Sequence, residues 1–204
     1  MRAAMRFAVF GCAVAGLMWV TSDLDAAHSD RGCHRCHMPH HAGTEDDPNA
    51  SFGVPLWSTA YSSDGLPVFT LYSSKTFNAL GTDIGQPDGA TKLCLGCHDG
   101  SYPRIARPES TARFEPGDLA RSHPVSFTYD AALAAKTNGG LKNPSEPSGL
   151  GGSISEDLLD EREKVQCSSC HDTHTSGKGE FMLRFDYDVA TYTDNVICRA
   201  CHNK

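Results

Sequence analysis

The chain has 204 residues, 39% of them hydrophobic, and a formal net charge of −7. That length suits one small domain once a leader is removed, and the acidic balance without a basic patch argues against a nucleic-acid partner. Its 9 cysteines and 10 histidines direct attention to thiol and imidazole chemistry.

The first 27 residues have the three parts of a secretory leader. Arg2 and Arg6 make a basic start, residues 7–20 are apolar, and Ala26 and Ala27 offer a small-residue cleavage site. Fourteen apolar residues are short of the roughly 20 that a membrane span takes. Residues 1–27 are therefore expected to be a signal peptide, and residues 28–204 an exported domain that is not integral to a membrane. Cys12 is expected to leave with the leader.

Residues 33–41 read CHRCHMPHH. Cys33, Cys36 and His37 make a Cys-x-x-Cys-His motif, and His40 follows three residues later. His34 is expected to face solvent, and His41 is able to stand in for His40. Glu45, Asp46 and Asp47 lie in a polar surface loop that lacks the ligand spacing of a calcium-binding hand. Residues 67–74 are strand-like after a proline. Trp57, Phe69 and Tyr72 are expected to pack against cofactor faces. Residues 81–91, rich in Gly, Asp and Pro, should form a loop leading into a second motif, Cys94, Cys97 and His98. Ser101 stands three residues past His98, so a metal bound there takes its second ligand from elsewhere.

His123 is isolated and precedes Pro124, which favours extended backbone. Residues 136–153 are rich in Gly, Asn, Pro and Ser and are expected to be a flexible surface loop. Residues 155–165 are the strongest helical candidate, with Ser155 as N-cap, Glu156 and Asp157 in the first turn and Lys164 in the last. They run into CSSCHDTH, where Cys167, Cys170 and His171 form the third motif and His174 follows three residues on. Met38 and Met182 are weak rivals to histidine as metal ligands. The fourth motif is Cys198, Cys201 and His202.

Composition alone predicts roughly 0.02 copies of Cys-x-x-Cys-His in such a chain, so four copies are not chance. Structural zinc needs paired cysteines without a regular trailing histidine. The motif is instead the attachment signature of c-type haem, in which two thiols make thioethers and the histidine binds iron. All eight cysteines beyond the leader belong to the motifs. The expected fold is a multihaem cytochrome c. Little regular secondary structure is expected, with short helices at the motifs, long loops, a hairpin, and a stack of four covalently attached haem c groups at the centre.

Six histidines remain after the four proximal ones, enough for a distal ligand on every iron. A residue one helical turn past the proximal histidine stays on the proximal side. His40 and His174 should therefore reach the iron of a neighbouring haem. His123 is a third candidate. The fourth is to be found among His28, His34 and His41.

CxxCHMPH, PLW, LYSS, CLGCHDG, SHPVSFTYD, VQCSSCHDTH and the closing CxxCHNK occur in this order. Together they resemble the outer-membrane cytochrome E (OmcE)-like family of secreted tetrahaem cytochromes from metal-reducing bacteria, over nearly all of the chain beyond the leader. The resemblance implies bis-histidine haems in a continuous stack, with His40, His123 and His174 as distal ligands and His28 as the natural fourth. It also implies that the chain can polymerise into an extracellular filament. The chain departs from the family pattern at His34, at His41, in the acidic stretch after Thr44 and in an N-terminal segment so short that His28 is expected at its very start.

The expected function is electron transfer outside the cytoplasm, with redox proteins or extracellular acceptors as partners and copies of the same chain as neighbours. A monomeric periplasmic shuttle is the alternative, and a filament serving mainly as scaffold is another. A multihaem reductase needs an open iron position. No Cys-x-x-Cys-Lys variant marks one, so no catalytic residue is assigned and an enzyme is not expected.

Overall fold

The computed structural model describes residues 37, 68–79, 84–99, 117–174, 182–185 and 196–203. The leader, Cys33, Cys36, His28, His34, His40, His41, Trp57 and the acidic loop after Gly43 lie outside them. Among these residues, seven short elements follow in order: α1 (Gly89–His98), β1 (Phe127–Thr128), α2 (Ala131–Lys136), α3 (Ile154–Leu158), β2 (Lys164–Val165), α4 (Cys167–Cys170) and α5 (Val196–Cys201). The motif helices α1, α4 and α5 match the expectation of short helices at the motifs in a chain with little regular structure.

β1 and β2 pair antiparallel, Phe127 with Val165 and Thr128 with Lys164. They are not a hairpin, since α2 and α3 lie between them in sequence. This small sheet brings the segment after His123 against the segment before the third motif. A cluster of buried side chains packs around it, including Phe127, Tyr129, Leu133, Ile154, Leu158, Val165 and Phe185.

The helix expected over residues 155–165 is much shorter. Ser153, not Ser155, is the N-cap. It forms a capping box in which the Ser153 hydroxyl accepts from the Glu156 N–H and the Glu156 carboxylate accepts from the Ser153 N–H. The helix stops at Leu158 because Asp160 makes its own turn. The Asp160 carboxylate accepts from the N–H groups of Arg162 and Lys164, at 2.9 and 2.8 Å. Glu163 sits at φ +59°, and the chain then enters β2. Local side-chain acceptors of this kind compete with the helix for backbone donors.

Residues 136–153 are not simply a surface loop. Ser148 is buried, its hydroxyl donates to Asp157, and Asp157 also accepts from the Gly152 N–H. α2, which sequence patterning did not pick out, is capped by Asp130 accepting from the Leu133 N–H and buries Leu133 and Ala134. Residues 67–74 form no regular strand among the described residues. Thr70 makes one parallel bridge to Asp118. Phe69 packs with Leu95 and Leu119, and its backbone is held by both ends of the Gln86 amide. It is thus buried against protein side chains rather than held free for a cofactor face. Tyr72 meets Phe77 edge-on, with ring centres 5.5 Å apart.

α1 begins at Gly89, inside the stretch expected to be loop. Its φ is +51°, and a Cβ there would lie 2.9 Å from Gln166 Nε2. Only glycine combines this backbone with so close an approach.

Candidate haem-binding sites

Each described motif is carried on a short helix, so its two cysteines lie about one turn apart. In α1, Cys94 and Cys97 are followed by His98, the last helical residue. In α4, Cys167 and Cys170 are the first and last residues, and His171 is the C-cap. In α5, Cys201 ends the helix and His202 follows it. Cys94, Cys167, Cys170, Cys198 and Cys201 are all free thiols, none of them fully buried. This suits thiols that must each reach a vinyl group.

The motifs are held close to one another. α1 packs on α4, and the Cys94 side chain hydrogen bonds to Cys167. That bond draws the Cys167 thiol below its ordinary range, against the effect of burial. Burial pushes Cys170 up, with the charges of Cys167 and Cys198 adding to it. Burial likewise pushes Cys201 up to about 11, with Cys170 contributing. The thiols of the third motif therefore lie within electrostatic reach of Cys94 in the second and of Cys198 and Cys201 in the fourth.

Gln166 joins the second and third motifs. It is 1% exposed. Its Oε1 accepts from the Thr91 N–H and the Ser126 hydroxyl, and its Nε2 donates to Asp88 and Asp160. The Thr91 hydroxyl in turn accepts from the Cys167 N–H at 3.0 Å. Asp88 takes a further bond from Lys164 at 2.8 Å. No local motif marks Gln166 in the sequence, since only this packing gives it a role.

Burial raises the Asp88 carboxyl, but hydrogen bonds from Lys164, Gln166 and Ser126 and the Lys164 charge outweigh it. The net position is below the ordinary carboxylate range. A carboxyl lowered in the fold contributes stability above its unfolded pKa of about 4 and loses it as pH falls through the lower folded value. Asp88→Asn is expected to flatten the acid limb of stability below about pH 4. Urea unfolding at a series of pH values checks this, and an unaltered acid limb would count against it.

The histidines are brought together across motifs. The His37 and His174 rings have centres 5.9 Å apart and planes 24° apart. The His123 and His202 rings have centres 6.3 Å apart and planes 81° apart. Two imidazoles on opposite sides of one iron need about 6 Å, from two metal–nitrogen bonds of about 2 Å and about 1 Å from each nitrogen to its ring centre. Both pairs fit that span.

Local bonds set these positions. His202 is seated by the Leu141 bridge, the Lys142 N–H to Cys201 O bond at 2.8 Å and the Tyr129 hydroxyl donating to Lys142 O at 2.6 Å. Burial first, then the nearby Cys201 and Glu146, holds that phenol well above its ordinary range. His123 Nδ1 lies 2.9 Å from Pro124 O, the contact that leaves Nε2 for a metal. His171 pairs with Leu183, flanked by Asp172 N–H to Met182 O and Arg184 N–H to Cys170 O.

The helix does not carry on from His171 to His174 as the spacing predicts. His171 has φ −111° and ψ 136°, so the chain leaves the helix at this residue. His174 does not lie one helical turn past it. The chain reaches His37 by turning away after α4, through Asp172, whose carboxylate accepts from the His174 N–H at 2.9 Å.

Residues 161–204 match the doubled CXXCH motif family. This span contains the third and fourth motifs, and the class it indicates is a multihaem c-type cytochrome, a carrier of covalently bound haem whose chemistry is electron transfer. No curated protein matches the chain.

Proposed function

We propose that the chain is an exported tetrahaem electron carrier, with haem c held at Cys33/Cys36, Cys94/Cys97, Cys167/Cys170 and Cys198/Cys201. His37, His98, His171 and His202 are the proximal ligands. His40, His123, His174 and His28 are the distal ones. The observation that supports this best is the pair of histidine couples at iron-spanning separation, each joining a proximal histidine to a residue from another part of the chain. Bound haem supplies one-electron chemistry at iron. With haem bound, these histidines would hold the iron from both sides, which would leave no room for a substrate and keep the ligand set unchanged between oxidation states. Close packing of the second, third and fourth motifs favours short distances between neighbouring cofactors.

We further propose that copies of the chain join end to end into an extracellular filament, with His28 completing an iron of the adjacent copy. His28 lies in a segment with no apolar residues before Cys33. A contact of this kind is heterologous, and heterologous contacts that do not close build open polymers.

The ferric spectrum of the native protein tests the carrier function. A wholly low-spin spectrum that cyanide does not change is expected. A high-spin component or cyanide binding would favour a reductase. Electron microscopy of secreted material tests assembly, and uniform single particles would leave the monomeric shuttle.

A further inference from the structure

We infer, on the reading that the two histidine couples are axial ligands, that the chain builds two electronically different low-spin irons. His37 with His174 makes a near-parallel site, and His123 with His202 a near-perpendicular one. The ring planes are 24° apart in the first and 81° apart in the second.

The difference follows from orbital overlap. Each imidazole donates π density into the iron d orbital that stands normal to its ring plane. Near-parallel rings act on the same d orbital and split it from its partner, which gives a rhombic ferric signal. Near-perpendicular rings act on different d orbitals and leave them nearly degenerate, which gives a single large-gmax signal. The raised orbital of the parallel site also holds the ferric hole more favourably, so that site is oxidised at the lower potential.

The contacts made by His174 and His123 act in the same direction. His174 Nδ1 lies 3.9 Å from Asp172 Oδ1, and the same carboxylate oxygen accepts from the His174 backbone N–H at 2.9 Å. His123 Nδ1 has instead the neutral Pro124 carbonyl at 2.9 Å. A carboxylate beside a ligating imidazole makes it a stronger donor than a carbonyl does, and favours the higher oxidation state. Asp172 is a positioning residue in this sense, acting through His174. The iron at the first motif is then the better electron donor, and the iron at the fourth the better acceptor.

The test uses the fully haem-loaded chain and low-temperature electron paramagnetic resonance during a mediated redox titration. His174→Met should remove a rhombic component and His123→Met the large-gmax component. Methionine keeps a sixth ligand, and survival of the other component reports an intact fold. In native protein the rhombic component lost in His174→Met should titrate at lower potential than the large-gmax component. Asp172→Asn leaves both imidazoles in place and should raise the midpoint of that rhombic component alone. The inference is overturned if the two methionine variants remove the opposite classes, if neither changes the spectrum, or if the order of potentials is reversed. An unmoved midpoint in Asp172→Asn would overturn the role given to the carboxylate. A high-spin native spectrum is a separate result, and it would reject the bis-histidine reading itself.

Discussion

Gln166→Leu is expected to destabilise the folded chain by about 3–5 kcal/mol, since each buried polar group left without its partner costs about 1–3 kcal/mol. Leucine has nearly the same volume but no amide. The Thr91 N–H then loses its acceptor at the start of α1, and Asp88 and Asp160 lose a shared donor at 3.1 and 2.8 Å. Two carboxylates facing a buried apolar side chain are worse than either carboxylate alone in water. The loss falls where α1 meets α4, so the second and third motifs should loosen together. Urea unfolding followed by far-ultraviolet circular dichroism measures the effect. Val68→Ser serves as the control, because Val68 is 83% exposed and such surface changes stay within about 0.5 kcal/mol. A Gln166→Leu change no larger than the control would show that the network does not hold the motifs.

Expression in a host without haem-attachment machinery is expected to give unfolded protein, whereas an equipped host gives a chain carrying four haem masses. The described part of the chain has fourteen buried hydrophobic side chains, ten of them in one cluster and three in another, with Leu93 outside both. α4 has four residues and α5 six, well short of the roughly 12–15 at which an isolated helix becomes marginally stable. Tertiary contacts must hold these helices, and covalent cofactors supply the apolar faces that the side chains lack. Intact-mass measurement counts the additions. Three or fewer would refute the tetrahaem assignment, and a cooperatively folded haem-free chain would refute the cofactor's structural part. Replacing Cys167 and Cys170 together with serine should remove one haem mass and leave the rest.

The chemistry was legible in the sequence because it is covalent and local. Cys-x-x-Cys-His needs only five consecutive residues, so Cys94, Cys97 and His98, or Cys198, Cys201 and His202, declare themselves without any tertiary contact. The short helices at those motifs were legible for the same reason. The helix over residues 155–165 was not, because two competing caps decide its ends. Ser153 with Glu156 starts it early and Asp160 stops it early, and helical propensity does not distinguish the outcome. Phe69 was expected on a cofactor face by composition, but its partners Leu95 and Leu119 are distant in sequence.

The four Cys-x-x-Cys-His motifs indicate c-type haem from the sequence alone, and ten histidines are more than the four that close the motifs. Which histidines meet depends on the folded chain. His174 faces His37 and His123 faces His202 because β1 pairs with β2, α5 docks through Leu141 and Tyr129, and the chain leaves its helix at His171. Ligand partnership depends on distance and ring orientation in space. Those follow from non-local hydrogen bonds and packing, which short-range patterns in a sequence do not encode.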